Sequence, residues 1–196
     1  GPTNLYQTMT KLLDFIQGIT RLVEANLPEN LLVSEGSVLL KKLVEKDDWL
    51  PEAYAKPHAD FYKQYLLYAD PLDRLSVVSF VWGPGQKTPV HDHLTWGLVG
   101  CLRGREKQTT YTNNPGQSCM PTETSILLPG QVYAVSPELG DIHEVANDLP
   151  DQPSISIHVY GRNIGRVQRH VFDLATGAQK TFVSNYANET VPNLWF

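Results

Sequence analysis

The last two-thirds of this chain is a succession of short apolar runs separated by glycine, proline, asparagine and aspartate. The runs are rich in β-branched and aromatic residues, which favour strands. They cover residues 75–82, 95–102, 107–112, 125–128, 132–135, 154–160 and 166–173, with a final strand expected from Lys180. Short strands with frequent turn signals predict an antiparallel β-sandwich or β-barrel.

The first third of the chain has a different pattern, which is typical of helices. Between residues 5 and 25, apolar side chains recur at helical spacing, so we predict an amphipathic helix there. A second helical pattern covers about 37–44, with Ser34 or Ser37 as its N-cap, and a shorter one covers 51–55. We therefore expect one mainly β domain, residues 1–196, in which a helical segment of about 1–68 packs on a β-barrel of about 69–196.

Composition excludes several classes of partner. The formal net charge is −5 over 196 residues, so the chain has no basic surplus for nucleic acid or an anionic membrane. No run of about 18 apolar residues could span a bilayer, and the start of the chain lacks the order of a signal peptide. Cys101 and Cys119 form no closely spaced pair, so we expect free thiols in a cytoplasmic protein. The sequence leaves the oligomeric state open.

The candidate functional residues are three histidines in two separate segments. On a strand, His91 and His93 would share one face, where both imidazoles could bind one metal ion. His143 lies 50 residues after His93 and offers a third imidazole. A surface or hydrogen-bonded pair is the alternative, but the framing glycines and the separate His143 favour a metal site. Three imidazoles can hold zinc, iron, copper or nickel, so the residues alone leave the metal open.

The glycine spacing around these histidines resembles the motifs of the cupin superfamily. Residues 85–104 follow the first motif, Gly-x5-His-x-His-x3-Gly-x6-Gly, and residues 140–147 follow the end of the second, Gly-x2-His-x3-Asn. Gly97 stands where cupins usually have a glutamate ligand, and Glu138 stands where they have proline. The resemblance implies a cupin β-barrel, also called a double-stranded β-helix or jelly roll. It also implies three neutral metal ligands, His91, His93 and His143.

Among cupins, this three-histidine set is similar to that of the thiol dioxygenases, typified by cysteine dioxygenase. In that family a Ser-x-His-x-Tyr strand forms a hydrogen-bonded relay into the iron site, and Ser156, His158 and Tyr160 match it residue by residue. Without the resemblance, the segment would be interpreted as a half-buried strand with a polar outer face. The resemblance implies one iron(II) per chain and a catalytic role for the three residues in orienting a proton and polarising oxygen or substrate.

One feature of mammalian-type cysteine dioxygenases is missing from the sequence. Those enzymes carry a cysteine that is bonded to the active-site tyrosine, and Gly97 aligns with that cysteine. Cys101 lies four residues further along, so we expect no thioether bond to Tyr160. Because glycine has no side chain, we also expect free volume beside the metal.

The substrate-binding residues follow from the same resemblance. Cysteine dioxygenase holds the substrate carboxylate with the arginine of a Tyr-x-Arg stretch, where this chain has Tyr62 and Gln64. Glutamine there resembles bacterial 3-mercaptopropionate dioxygenase, in which an arginine nine residues after the tyrosine meets the carboxylate. Arg169 has that spacing from Tyr160, and Arg166 competes for the role. The carboxylate would be oriented by Arg169, Tyr160 and Gln64.

The leading hypothesis is an iron(II) thiol dioxygenase that adds dioxygen to the sulfur of 3-mercaptopropionate and forms 3-sulfinopropionate. Its expected partners are a small thiol and dioxygen. One alternative is a cysteine dioxygenase, which forms cysteine sulfinate. A zinc or manganese cupin isomerase or hydrolase is another, although Gly97 supplies no carboxylate as ligand or base. The third is a non-catalytic sensor, although no DNA-binding module accompanies the complete ligand set.

Overall fold

Two helices precede the β-structure. The computed structural model describes residues 2–114 and 116–195, with side chains described from Thr10 onward. Helix α1 (Pro2–Glu24) and helix α2 (Glu29–Val44) are followed by a short 3-10 turn (Glu52–Tyr54). The first helix agrees with the sequence pattern. No helix in the described part of the chain is long and apolar enough to cross a membrane.

The predicted start of α2 is wrong by about two turns. The helix begins after Pro28 without a side-chain cap, and the hydroxyl of Ser37 donates instead to the carbonyl of Val33 inside the helix. The missing signal is Gly36, which interrupts the apolar pattern. A Cβ atom at Gly36 would lie 2.9 Å from Cδ1 of Leu98, so the glycine allows the helix to approach the barrel closely.

Ten strands follow in the described residues. They are β1 (Lys63–Ala69), β2 (Ser76–Trp82), β3 (Gly97–Arg103), β4 (Glu106–Tyr111), β5 (Pro121–Leu127), β6 (Val132–Val135), β7 (His143–Asn147), β8 (Ser154–Tyr160), β9 (Arg169–Phe172) and β10 (Gln179–Phe182). Most agree with the predicted runs. The strand β7 was not predicted, and β1 begins inside the segment that was assigned to the helical part.

The strands form two antiparallel sheets and a hairpin. The first sheet has the order β1-β2-β8-β3-β6, the second has the order β5-β4-β7, and β9 pairs with β10. This arrangement, mainly β with two N-terminal helices, confirms the predicted fold class, a cupin double-stranded β-helix.

Strand β8 separates the helix-facing core from the barrel interior. Its alternate residues Ile155, Ile157 and Val159 belong to the same apolar cluster as the buried residues of α1 and α2. Successive side chains on a strand point to opposite faces, so Ser156, His158 and Tyr160 point into the barrel. All three are at most 2% exposed. The alternative of a polar outer face is therefore wrong for this strand.

Candidate metal centre

The three histidines come from two neighbouring segments that pair through the backbone. His91 and His143 exchange both backbone N–H···O hydrogen bonds, at 3.0 and 3.1 Å. His91 forms isolated bridges to His143 and Val171, so the segment is extended but is not part of a regular strand, contrary to the assumption made from the sequence. His143 opens β7 and lies on the second sheet. The pairing brings residues 52 apart in sequence to one point.

The ring nitrogens of the histidines converge. The Nε2 atom of His93 lies 3.1 Å from Nε2 of His91 and 3.1 Å from Nε2 of His143. Each Nδ1 faces an acceptor instead. His91 donates to the carbonyl of Pro89 (2.8 Å), His93 to the carboxylate of Asp141 (2.9 Å), and His143 to the side-chain oxygen of Gln108 (3.0 Å).

This hydrogen bonding makes the cluster a fit for a cation. A neutral imidazole carries one proton, and the acceptors fix that proton on Nδ1. Three Nε2 lone pairs then face one another at close range, an arrangement that a metal ion stabilises. Burial lowers the pKa of His91 and His143 well below 6.5 and lowers that of His93. Neutral imidazoles are the form that binds metals.

Beside the metal centre lies a hydrogen-bonded chain of three side chains, Ser156, His158 and Tyr160, which we call the relay. Ser156 Oγ is 2.8 Å from Nε2 of His158, and Nδ1 of His158 is 2.7 Å from the Tyr160 hydroxyl. The ring of Phe80 stacks on His158 at 3.9 Å between centroids. Tyr160 stacks on His93 with 5.4 Å between the ring centroids and the ring planes 18° apart. The relay therefore ends at the metal centre.

Burial keeps the relay uncharged. It lowers the pKa of His158 well below its ordinary value of 6.5 and raises the pKa of Tyr160 above 10. The nearby Arg169 guanidinium opposes the rise at Tyr160, but desolvation is larger. At neutral pH the relay thus consists of three neutral groups, each able to donate and accept a hydrogen bond.

The expectation of free volume at Gly97 is wrong. Gly97 lies directly opposite Tyr160 in the strand register. A Cβ atom on Gly97 would lie 2.9 Å from Cδ1 and 3.0 Å from Cε1 of Tyr160, because the tyrosine ring already lies against the backbone there. Cys101 is opposite Ser156, four residues along β8 from Tyr160. That separation is roughly 13 Å at the usual strand rise, and both cysteines are free thiols.

The two candidate arginines lie in different environments. Arg169, at the start of β9, is 4% exposed and lines a cavity of about 20 Å³ beside His91. Arg166 lies on the surface, where it pairs with Asp73 at 3.1 Å and its side chain is 72% exposed. The structure therefore brings Arg169, Gln64 and Tyr160 together around the cavity and leaves Arg166 outside.

The guanidinium of Arg169 is held by neutral acceptors. It donates to the carbonyl of Asp92 at 3.0 Å and to the hydroxyl of Ser184, and its guanidinium carbon lies 4.7 Å from the centre of the Phe182 ring. Its Nε has no partner in the described part of the chain, and neither has Oε1 of Gln64, which lines the same cavity. Two buried polar atoms at one cavity, one a donor and one an acceptor, indicate a polar ligand.

The sequence interpretation missed several residues that support the site. Asp141, inside the second histidine motif, accepts from the ring of His93 and from the backbone N–H groups of His93 and Leu94. Its place two residues before a ligand was a usable signal. Gln108 and Phe182 reach the site from strands distant in sequence, so no local pattern could show them.

An antiparallel double-stranded β-helix with three convergent histidines and a buried hydrogen-bonded relay defines a cupin-type metalloenzyme centre. Comparison with known proteins gives the family. The family model for cysteine dioxygenase type I matches residues 5–173, and the chain belongs to that family. It is therefore an oxidoreductase of the thiol dioxygenase class.

Two named relatives carry the same designation, cysteine dioxygenase type 1. The protein of Danio rerio is 27% identical over 164 residues, which cover 75% of this chain and 80% of the relative. The protein of Bos taurus is 23% identical over 155 residues, which cover 73% and 76%. Among solved structures, a cupin superfamily protein from Desulfitobacterium hafniense is 16% identical with a TM-score of 0.45, covering 58% of this chain and 90% of its own.

Proposed function

We propose that this protein is an iron(II) thiol dioxygenase that converts 3-mercaptopropionate into 3-sulfinopropionate. The observation that carries the substrate class is the buried Arg169, whose hydrogen-bond acceptors are all uncharged and whose Nε is free. A buried cation without a carboxylate partner is costly, and a substrate carboxylate offsets that cost.

The donor set of the metal centre supports the thiol part of the proposal. All three ligands are neutral, and Gly97 supplies no carboxylate, so a bound dication keeps its full charge and favours an anionic thiolate. Iron(II) held there would supply the redox chemistry with dioxygen. The overall reaction, R–SH plus O2 giving R–SO2H, balances without a further reductant.

The side chains of the pocket orient the substrate around that centre. Arg169 binds the carboxylate through its free Nε, and Tyr160 lines the same cavity. Gln64 also lines this cavity and stands where cysteine dioxygenase carries an arginine, so it adds hydrogen bonding without a second cation. His158 holds the Tyr160 hydroxyl at 2.7 Å and thereby controls which way its proton points.

A second candidate substrate is cysteine. Oε1 of Gln64 is a buried acceptor without a partner among the described residues, and an amino group would satisfy it. Cysteine differs from 3-mercaptopropionate by such a group, so this atom favours cysteine as the alternative. The small thiol and dioxygen are the partners we propose, in the cytoplasm and without nucleic acid or membrane, in keeping with the net charge of −5.

The experiment is a metal analysis combined with oxygen uptake. Protein purified without added metal is analysed for iron, zinc and manganese, and oxygen consumption is then followed with 3-mercaptopropionate, cysteine and cysteamine. We expect iron, fastest uptake with 3-mercaptopropionate, and a product heavier by two oxygen atoms. His143→Ala is the matched inactive control. Zinc without oxygen uptake would favour the isomerase or hydrolase class, and binding without turnover of any thiol would favour a sensor.

A further inference from the structure

A buried carboxyl group lies behind the relay and takes no part in the proposed reaction. Glu106, at the start of β4, is 1% exposed and faces the hydroxyls of Ser154 and Ser156 on β8. Neither of its oxygens meets a partner at normal hydrogen-bond distance, but both hydroxyls lie close enough to lower its pKa. Buried polar groups without partners call for a specific explanation.

The surroundings of Glu106 keep its carboxyl protonated near neutral pH. Burial raises its pKa to about 8, and the two serine hydroxyls oppose that rise. The other titratable groups that face it are Cys101 on β3 and Tyr133 on β6, whose pKa values are also raised, mainly by burial. Its register neighbours on β5 and β7, Leu127 and Asn147, do not titrate. The carboxyl is therefore the group of this cluster that changes charge just above neutral pH.

The relay can run in two directions, because every member is a neutral donor and acceptor. In one direction Ser156 donates to Nε2 of His158, Nδ1–H donates to the Tyr160 oxygen, and the Tyr160 proton points into the pocket. In the other, Tyr160 donates to Nδ1, Nε2–H donates to Ser156, and the Tyr160 oxygen offers the pocket only lone pairs. The direction depends on the group on the side of Ser156 away from His158. Ser156 either accepts a hydrogen bond from that group or donates one to it.

We propose that Glu106 is the fourth member of the relay and acts as a positioning residue that sets its direction. The protonated carboxyl donates to Ser156 and turns the Tyr160 proton toward the substrate. The carboxylate accepts from Ser156 and reverses the chain. This inference rests on the proposed function only for its effect on turnover, because the direction of the hydrogen bonds is a property of the four residues themselves.

The direct test is the tautomer of His158, read from its imidazole ¹⁵N shifts by NMR. The full-length protein is used, with its histidine site filled by diamagnetic zinc(II) and no thiol present. We expect the Nδ1–H form at pH 6.5 and the Nε2–H form at pH 9.5. Glu106→Gln, which cannot ionise, should hold one tautomer across that range. Glu123→Gln, the same change at an exposed position on β5, should behave as the unmodified protein.

A second variant tests the connection through Ser156. Ser156→Ala leaves Glu106 in place but removes the hydroxyl between it and His158, so the tautomer should no longer follow pH. A tautomer of the unmodified protein that stays constant from pH 6.5 to 9.5 would overturn the proposal. So would a pH-dependent change that persists in Glu106→Gln.

Turnover of the iron form gives the kinetic counterpart. With a group of pKa about 8, only about a tenth of the molecules are protonated at pH 9, so kcat should fall about tenfold from its low-pH value. Glu106→Gln should lose this fall while KM for the thiol and iron content stay the same. Absence of oxygen uptake with every thiol would defeat the proposed function and leave the tautomer result to be judged separately.

Discussion

Replacing Arg169 by alanine tests how the pocket recognises its substrate. The substitution removes the guanidinium that lines the cavity beside His91, together with its bonds to the Asp92 carbonyl and the Ser184 hydroxyl. If a substrate carboxylate binds Nε, the substitution should lower kcat/KM for substrates with a carboxylate and leave kcat/KM for other thiols unchanged. Cysteamine, which carries an ammonium group instead, provides the comparison.

The size of the effect follows from the contacts of the guanidinium. Both terminal nitrogens already donate to the protein, and Nε is the free donor, so at least one charge-assisted hydrogen bond to the substrate is at stake. Such a bond contributes about 1.5–3 kcal/mol. That corresponds to roughly 10–150-fold in kcat/KM for 3-mercaptopropionate. For cysteamine, kcat/KM should change little or rise, because the substitution removes a guanidinium that repels the ammonium group of this substrate.

The assay is oxygen uptake per bound iron, since the Asp92 carbonyl that Arg169 holds lies between two metal ligands. Arg166→Ala removes a nearby but exposed arginine and should leave both substrates unaffected. Arg169→Lys keeps the positive charge but lacks the Nε donor. Its kcat/KM for 3-mercaptopropionate should therefore lie between those of the unmodified protein and of Arg169→Ala. Equal losses on 3-mercaptopropionate and cysteamine would mean that Arg169 is structural. Faster turnover of cysteine than of 3-mercaptopropionate by the unmodified protein would refute the substrate assignment and leave the reaction class standing.

Four further predictions concern the metal, the relay and the buried carboxyl. His143→Ala should abolish tight iron binding or activity, measured by metal analysis and oxygen uptake. His158→Asn should keep iron and thermal stability and lower turnover by about 10² or more; an unchanged rate would contradict a role for the relay. Peptide mass spectrometry should find no two-hydrogen loss joining Tyr160 to Cys101. Folding raises the pKa of Glu106 from 4.5 to about 8, so between these pH values the folded protein binds more protons than the unfolded chain. The free energy of unfolding therefore falls as pH rises through this range. Glu106→Gln should therefore gain about 3.5 kcal/mol relative to the unmodified protein from pH 5 to pH 8, at ~1.4 kcal/mol per unit, which urea unfolding at each pH would measure.

The three converging histidines were predictable because each lies in a local pattern. His91 and His93 are two residues apart between fixed glycines, and His143 has its own glycine three residues before it. The relay was predictable for a similar reason, since alternation along β8 places Ser156, His158 and Tyr160 on one face whatever the rest of the chain does. Local spacing in the sequence was therefore enough to predict both the histidine cluster and the relay.

Features that depend on contact between distant strands were not predictable. The free volume expected at Gly97 is occupied by the ring of Tyr160, which lies 63 residues away in sequence and directly opposite in register. The partners of Arg169 come from β10, from the segment that follows it and from Asp92 between two of the histidines. Glu106 showed no signal, because a glutamate at a strand start is ordinarily solvated, whereas here it lies between β5 and β7 and is buried.

The choice between Arg166 and Arg169 shows what burial adds to a sequence pattern. Both follow Tyr160 at a plausible distance, but a 3-10 turn ends at Arg166 and leaves it on the surface, whereas β9 starts at Arg169 and pairs it with Phe182. Burial lowers the pKa of Arg169, which means that removal from water disfavours the charged guanidinium at this position. The same pocket contains His91, one of the three proposed metal ligands. The proposed substrate has two anionic ends, a thiolate and a carboxylate on a short chain, so it would offset the charge of Arg169 and that of a metal bound by the histidines, which a thiol without a carboxylate would not do.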